Sequence, residues 1–172
     1  MSLAYLALGS NLGSRRLFLA QAIEGLQRLP GTKIRGISRL YETVFQGTGT
    51  QRPYLNACLV LETSLSPRSL LEAGQEMERR AGRQRDGHMK PRPLDVDLLL
   101  VDDLRLNEAR LSLPHPRMHE RRFVLQPLAD LAPDLRLPGH ERPVRQLLED
   151  PSVRQQGLHE AARGRWWEVK EE

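Results

Sequence analysis

Two acidic residues, Asp95 and Asp97, are separated by one residue within the apolar run from Leu94 to Val101. Residues two apart in a strand project from the same face, so the two carboxylates should lie roughly 6–7 Å apart. Carboxylates among aliphatic residues are costly unless cations pair with them, and their hard oxygens suit Mg²⁺. One alternative is a strand with a solvent-facing polar side. Because Arg92 lies just upstream in a basic segment, the pair favours a phosphoryl-transfer site.

Arginines accumulate on both sides of this pair. The chain carries 26 basic and 22 acidic residues, for a formal charge of +4, and three of the basic residues are lysines. A guanidinium group binds phosphate through two parallel hydrogen bonds. Individually such arginines are typical of any protein surface, but their clustering indicates an anionic ligand. The candidates for phosphate contacts are Arg83, Arg85, Arg92, Arg110 and Arg121.

His115 is held between Pro114 and Pro116 and could donate a hydrogen bond to phosphate, although a single histidine is also a common structural hydrogen-bonding group. Aromatic residues make up 5% of the chain, so Tyr54 at a predicted strand start suggests stacking on a planar ring. Asn56 could read the polar edge of such a ring. Phe123 fits either a stacking role or core packing.

Length and composition exclude several protein classes. The chain has 172 residues, 39% of them hydrophobic and 28% charged, which favours one folded domain over disorder. The single cysteine, Cys58, excludes an internal disulfide or a cysteine metal cluster and is expected to pack in the core. Without a membrane-length apolar run or a basic leader, a cytoplasmic protein is expected. A Walker-type phosphate loop is missing from the sequence.

Periodicity and turn signals predict the elements that position these residues. Strands are predicted at 3–8, 32–43, 54–63 and 94–101, the last turned by Asp102 and Asp103 into a hairpin. One helix follows a Ser14 cap and buries either Leu17, Ala20 and Ile23 or Leu19, Ala22 and Leu26. A second begins at Ser66 and Pro67 and ends at Gly82. After Pro114 the pattern is helical and irregular, with a peripheral helix and tail from Pro151.

The order β-α-β-β-α-β predicts an α+β fold with a ferredoxin-like core, a mainly antiparallel sheet and helices packed on it. Right-handed crossovers give the strand order 4-1-3-2. We expect one domain over 1–172, with its core at about 2–140 and a C-terminal helical and irregular extension at about 141–172. The topology brings residues 9–11, 43–47, 54–56 and 83–97 to one rim of the sheet, where the site is predicted.

Several segments resemble the 6-hydroxymethyl-7,8-dihydropterin pyrophosphokinase family of folate biosynthesis. The resemblance covers about residues 2–140, and its most specific parts are the Pro91-Arg92-Pro93-Leu94-Asp95-Val96-Asp97 and Pro114-His115-Pro116 segments. The other matching segments are Ala4–Gly13, Tyr54–Ala57, Gly82–Arg85 and Arg121–Leu128.

The resemblance implies transfer of pyrophosphate from ATP to the hydroxymethyl group of the pterin, releasing AMP. Asp95 and Asp97 would hold two Mg²⁺ ions that bridge the triphosphate, with Arg83 and Arg92 assisting catalysis. Positions matching the nucleotide site are Gln75, Glu78, Arg85, Arg92, Leu98, Arg110, Leu111, Ser112, His115 and Arg121. Those matching the pterin site are Thr43, Val44, Gln46, Tyr54, Asn56, Asp95 and Phe123.

The chain departs from the family pattern at His88-Met89-Lys90, where an arginine and a tryptophan are usual. Methionine fills apolar gaps but is a poorer stacking lid than tryptophan. We expect a monomer whose partners are its small-molecule substrates. We expect it to bind neither nucleic acid nor a membrane. An RNA-binding module of the same topology is the alternative, but it needs aromatics on its third strand, which here reads Tyr54-Leu55-Asn56-Ala57-Cys58.

Overall fold

The computed structural model describes residues 1–43, 52–82 and 92–169. The strands are β1 (Ser2–Ser10), β2 (Thr32–Ile37), β3 (Leu40–Thr43), β4 (Tyr54–Thr63), β5 (Asp95–Val101), β6 (Leu106–Asn107), β7 (Ser112–Leu113) and β8 (Leu158–Ala162). The helices are α1 (Arg15–Gln27), α2 (Pro67–Arg80), α3 (Arg122–Leu131), α4 (Val144–Leu147) and α5 (Pro151–Arg154), with a 3₁₀ turn at Met118–Glu120. Among these described segments, no helix is long and apolar enough to cross a membrane.

The main sheet is antiparallel and has the order β5-β1-β4-β3-β8, with β2 also paired to β4. This arrangement confirms the predicted α+β class and the predicted order of its four strands, because β2 and β3 together occupy the second strand's place. Segments far apart in sequence thus become neighbours: Ser2 of β1 lies opposite Thr63 of β4.

The second predicted strand, 32–43, is interrupted rather than continuous. At Ser38 the main-chain N–H donates to the carbonyl of Cys58 at 2.9 Å, but the return bond from the Cys58 N–H goes to the Ser38 hydroxyl at 2.8 Å. A serine side chain that competes with the backbone for partners ends regular pairing. The strand therefore divides into β2 and β3 at Ser38 and Arg39.

Each face of the sheet carries its own apolar core. Leu55, Ala57, Leu59 and Leu61 of β4 pack toward α1 and α2, while Cys58 and Val60 pack toward α3. Burial of alternate residues on both faces confirms the predicted strand at 54–63 and the buried position of Cys58. In α1 the buried residues are Leu19, Ala22, Ile23 and Leu26, which selects the second of the two predicted faces together with Ile23.

Helix α2 is delimited as its sequence predicts. The Ser66 hydroxyl accepts a hydrogen bond from the Ser69 N–H at 3.1 Å, Pro67 occupies the first turn, and Gly82 follows the helix with φ +90°. Such a left-handed conformation favours glycine. Ser14 is the N-cap residue of α1, as predicted, but within the described residues its side chain makes no capping hydrogen bond.

Two predictions about the later part of the chain were wrong. The turn at Asp102 and Asp103 does not lead back along β5, because β6 pairs with β7 in a separate two-stranded sheet. The segment from Pro151 is not a peripheral helix and tail: after the short α5, β8 joins the edge of the main sheet beside β3. Trp166, expected in the tail, is 1% exposed within the core. Edge pairing with β3 outweighs the weak local helical preference there.

Candidate active site

Four strand ends meet at one rim of the sheet, as the topology predicts. β1 and β3 end there, whereas β4 and β5 begin there. Pairing aligns Asp95, Gly9, Asn56 and Tyr41 in one row across the four strands. Direct neighbours in a sheet share a face, so these residues all face α3.

Asp95 and Asp97 lie on the same face of β5, as their spacing predicts. Asp95 is opposite Gly9 and Asp97 is opposite Ala7, and both carboxyl residues are partly exposed. Val96 between them packs on the other face, where an added Cβ at Gly74 of α2 would come within 2.9 Å of its side chain. Close packing of α2 therefore fixes the strand that carries the pair.

Gly9 forms the floor between Asp95 and Asn56, with the Asn56 and Tyr54 side chains close to it. With strands about 4.8 Å apart, the two flanking residues are separated by about 10 Å. An added Cβ at Gly9 would lie 3.2 Å from the Asn56 Oδ1 atom and 3.5 Å from the Tyr54 ring. Asn56 is 6% exposed, and its Nδ2 is a buried donor with no partner in the part of the chain described. An unsatisfied buried amide beside a position without a side chain suits a ligand that supplies an acceptor.

Arg92 is tied to the end of β1 through its main chain. Its N–H donates to the Asn11 side-chain oxygen at 2.7 Å, and its carbonyl accepts from the Asn11 N–H at 3.0 Å. The Arg92 guanidinium lies 3.4 Å from the Asp95 carboxylate. These two hydrogen bonds to Asn11 fix the main chain of Arg92 at the end of β1, so its side chain is held beside Asp95.

Arg121 at the start of α3 lies near both carboxylates, and His115, which precedes the 3₁₀ turn, lies near Asp95. Burial lowers the pKa of His115, and the charges of Arg121 and Arg117 lower it further, while Asp95 opposes them. Burial and Arg117 lower the pKa of the Arg121 guanidinium, opposed by Asp97 and Asp95. The site thus combines two carboxylates with cationic groups whose charges act on one another.

Three of the predicted ring-binding residues, Thr43, Tyr54 and Asn56, lie at this rim. Thr43 pairs with Tyr54, and Asn56 pairs with Tyr41 two residues away on the same face. Phe123 is partly buried beside the core under α3, with the Arg121 guanidinium 5.6 Å from its ring centre. Tyr54 therefore belongs to the sheet, whereas Phe123 belongs to α3, the helix that covers this face.

Three of the predicted nucleotide residues, Glu78, Leu98 and His115, lie along the outer edge of β5, the edge away from β1. The buried Glu78 carboxylate accepts from the Val96 N–H at 2.9 Å, and the His115 N–H donates to the Leu99 carbonyl at 2.7 Å. The main chain of Leu98 lies between these two anchors. Of the other predicted positions, Leu111 is buried, Gln75 and Ser112 are partly buried, and Arg110 is exposed.

Part of the predicted site falls outside the described residues. These positions are Arg83, Arg85, Val44 and Gln46, together with the His88-Met89-Lys90 segment.

The acidic pair fits a hard divalent cation. Within residues 1–43, 52–82 and 92–169, no three His, Cys, Asp or Glu side chains are grouped so that they could hold a metal. A Mg²⁺ ion bound by one or two carboxylates completes its octahedron with water and substrate phosphates. Two partly exposed carboxylates beside Arg92 and Arg121 match that mode of binding rather than an all-protein cage.

The fold and this rim define a class of protein: an α+β phosphotransferase that assembles its site from an acidic pair, arginines and an open sheet edge. The model of the 7,8-dihydro-6-hydroxymethylpterin-pyrophosphokinase family matches residues 5–133, and the chain belongs to this family. A Pseudomonas aeruginosa 2-amino-4-hydroxy-6-hydroxymethyldihydropteridine pyrophosphokinase is 46% identical over 134 residues, covering 78% of this chain and 83% of that protein.

A protein of the same description from Methylorubrum extorquens is 41% identical over 154 residues, covering 88% of this chain and 96% of its own length. Among solved structures, a Plasmodium falciparum HPPK-DHPS protein superposes with a TM-score of 0.68 at 16% identity. The match covers 86% of this chain and 45% of that one. This likeness concerns the fold. The relatives support a pyrophosphokinase and not the RNA-binding alternative.

Sequence reasoning placed Gly9 and Asn11 at the rim without giving either a role. Gly9 provides the floor, and Asn11 anchors Arg92. The signal for both was the Gly9-Ser10-Asn11 turn at the end of a strand, where a glycine indicates close approach and an asparagine bonds nearby backbone.

Proposed function

We propose that this rim is where the chain carries out the reaction of its family. The chain is an ATP-dependent pyrophosphokinase of folate biosynthesis, and it transfers pyrophosphate from ATP to the hydroxymethyl group of 6-hydroxymethyl-7,8-dihydropterin. The observation that carries the proposed location is the shared row of Asp95, Gly9 and Asn56. This row puts a carboxylate and a buried amide on one face, about 10 Å apart, which supports a metal site beside a ring-binding site.

Asp95 and Asp97 hold two Mg²⁺ ions against the triphosphate in this proposal. The ions, when bound, neutralise charge on the transferred group and align it with the attacking oxygen. The carboxylates' common face and partial exposure support the assignment. Asp95, in the same row as Asn56, also lies beside the hydroxymethyl group of the pterin.

Arg92, Arg121 and His115 bind phosphate oxygens, and Arg83 and Arg85 are proposed to add to them. The Arg92 guanidinium already lies 3.4 Å from Asp95, so bound phosphates would compete with this carboxylate for it. His115 has a lowered pKa, but a neutral imidazole still donates one N–H. The Arg117 N–H approaches its Nδ1 at 3.5 Å, which leaves Nε2–H as the donor.

The adenine is proposed to bind along the outer edge of β5. Glu78 and the main chain of His115 already anchor this edge on either side of Leu98, and the main-chain groups of Leu98 between them are proposed to read the base. The remaining positions assigned to ATP are Gln75, Arg110, Leu111 and Ser112.

The pterin is proposed to lie over the Gly9 floor. Asn56 supplies its buried amide to the polar edge of the ring, and Tyr54 and Phe123 stack on the ring's faces. Thr43, with Val44 and Gln46 beyond it, borders the same edge. A side chain at Gly9 would press on Asn56 and Tyr54, the two residues proposed to bind the ring.

Positioning and electrostatics account for the chemistry. The hydroxymethyl oxygen attacks the β-phosphorus and loses its proton to solvent. As the new O–P bond forms, the bond from the β-phosphorus to its bridge with the α-phosphate breaks, and AMP leaves with the bridging oxygen. Arg92 and Arg121 compensate the charge that develops on the phosphoryl oxygens.

The test combines product analysis with substitution of the acidic pair. Chromatography should show AMP formed when ATP, Mg²⁺ and the pterin are all present; ADP would instead indicate transfer of a single phosphoryl group. Asp95→Asn and Asp97→Asn should each lower kcat at least a hundredfold, because metal stabilisation of the transition state is worth several kcal/mol. The control is Asp103→Asn at an exposed turn. Near-normal turnover in both variants, with unchanged Mg²⁺ dependence, would refute the metal assignment.

We also propose that the protein acts in the cytoplasm as a monomer. Its co-substrate ATP is a cytoplasmic metabolite. Light scattering of the purified protein would give 19.7 kDa for a monomer.

A further inference from the structure

Gln156 reaches from the C-terminal part of the chain to the start of α3. It follows α5 and precedes β8, yet its side-chain Oε1 accepts from the Arg122 N–H at 2.8 Å. Its Nε2 donates to the Glu120 carbonyl at 2.7 Å and to the Ser152 carbonyl at 3.0 Å. The amide of one side chain thus forms hydrogen bonds with the main chain on both sides of Arg121.

These hydrogen bonds replace the side-chain cap that the start of α3 lacks. Arg121 is the N-cap of α3, with extended backbone (φ −114°, ψ 113°), and within the described residues its side chain makes no capping bond. The first N–H groups of a helix have no partner inside the helix. Gln156 satisfies the Arg122 N–H from a distant segment. The Arg122 guanidinium returns to the same segment, donating to the carbonyls of Gln156 at 2.8 Å and Arg154 at 3.3 Å.

The held residue faces the reaction site. The Arg121 guanidinium lies over the Phe123 ring, and its charge acts on His115. The next residue, Gly157, contacts the side of the site that is proposed to bind the pterin. Its carbonyl accepts a hydrogen bond from the Thr43 hydroxyl at 3.1 Å. The same short segment therefore contacts both the phosphate-binding and the pterin-binding sides.

We propose that Gln156 is a positioning residue for the pyrophosphokinase reaction, fixing Arg121 so that its guanidinium meets the phosphates of ATP. This inference rests on the role proposed above for Arg121. Gln156 acts through the main chain of residues 120–122 and has no contact with substrate.

A double-mutant cycle tests the proposal. Gln156→Met keeps the length of the side chain and removes its donor and acceptor, and Gln155→Met at the exposed neighbour is the matched control. Each is made with Arg121 present and with Arg121→Ala. The measurement is the Kd of α,β-methylene ATP with Mg²⁺ by calorimetry, together with kcat, KM for each substrate and the melting temperature.

With Arg121 present, Gln156→Met should weaken nucleotide binding roughly tenfold; with Arg121→Ala the further change should stay within about twofold, because coupled residues are not additive. An equal loss in both backgrounds would show a general structural effect and overturn the proposal, as would unchanged affinity in Gln156→Met when Arg121→Ala binds weakly. If Arg121→Ala itself binds normally, the role of Arg121 is wrong and the proposal falls with it. Should Gln156→Met not fold, the cycle is run with Gln156→Glu, which keeps an acceptor for the Arg122 N–H.

Discussion

Gly9 shows how a single missing side chain shapes the proposed pterin site. Gly9→Ala should retain the fold, since its backbone is an ordinary strand, but should weaken pterin binding. The new methyl group would lie 3.2 Å from the Asn56 Oδ1 atom, so the amide must shift from the position in which it is proposed to read the ring. If that displacement costs the bound state about 1–3 kcal/mol, as overpacking does in cores, Kd rises about fivefold to a hundredfold. Calorimetric titration with the pterin measures the effect.

Gly25→Ala is the matched control for this substitution. It adds a methyl group in α1 that would meet the flexible end of Met77 at 3.2 Å, far from the rim. Its pterin affinity should equal that of the parent protein. If Gly9→Ala also binds the pterin normally, the ring does not lie on the Gly9 floor.

His115 is expected to titrate below its ordinary value of 6.5, because it is buried and faces the charge of Arg121. Nuclear magnetic resonance of its C2 proton should report this lowered pKa directly. In Arg121→Ala the pKa of His115 should rise, since one cause of the shift is removed. Arg145→Ala, an exposed residue paired with Asp134, should leave it unchanged; equal values in all three proteins would contradict the proximity of Arg121 and His115.

The same shift fixes the sign of a stability effect. A histidine whose folded-state pKa is lowered binds fewer protons when folded than when unfolded. Above pH 6.5 His115 is neutral in both states, and its contribution to stability does not change with pH. As the pH falls through 6.5 toward the folded-state pKa, the unfolded protein is protonated first, so the free energy of unfolding decreases. His115→Asn should reduce that decrease, as urea titrations at successive pH values would show.

At the scale of elements, β8 is part of the main sheet, and the residues after it bind other parts of the fold. Arg39 of the β2–β3 junction lies 3.2 Å from Glu160 of β8, and the Trp166 indole N–H donates to the Ser38 carbonyl at 2.8 Å. The Trp166 carbonyl in turn accepts from Arg16 of α1 at 2.7 Å. The C-terminal segment therefore joins the break between β2 and β3 to the first helix.

Trp166→Ala should destabilise the protein by about 3–5 kcal/mol, the usual loss for a buried aromatic side chain. Its side chain is 1% exposed and belongs to the core beneath α1 and α2. Trp167→Ala is the control, because Trp167 is only partly buried and meets Trp166 edge to face at 5.8 Å. Urea unfolding of both variants measures the difference; equal losses would contradict the separate burial of Trp166.

At the scale of the whole molecule, β4 joins the two cores. Its alternate residues enter the core beneath α1 and α2 and the core beneath α3, so opening either side exposes the strand. Cys58, the single cysteine, lies in β4 at 0% exposure. Burial, with smaller effects of Asp130 and Asp97, raises the pKa of its thiol, so both access and thiolate formation are suppressed.

Cys58 should consequently resist a thiol reagent until the molecule unfolds as a whole. The free energy obtained from slow labelling in native buffer should equal the free energy of global unfolding from urea titration. Labelling of urea-unfolded protein, at one equivalent per chain, is the control. Rapid stoichiometric labelling of the native protein would show that the α3 side opens independently.

Local pattern in the sequence determined much of the fold and part of the site. Alternation with period two assigned β4 and put Asp95 and Asp97 on one face, because successive side chains of any strand point to opposite sides. The serine, proline and glycine signals delimited α2, and the handedness of crossovers gave the strand order. Family motifs supplied the residues that bind ATP and the pterin, and these assignments remain predictions.

Tertiary structure decided what depends on residues distant in sequence. Four features could not be predicted from the neighbouring sequence. They are the division of the second strand at Ser38, the addition of β8, the burial of Trp166 and the hydrogen bonds of Gln156 on either side of Arg121. Each arises because a segment gains more from hydrogen bonds and burial against a distant partner than its own short-range preferences can oppose. Periodicity specifies which face of an element is buried, whereas the partner of that face is chosen by the folded chain as a whole.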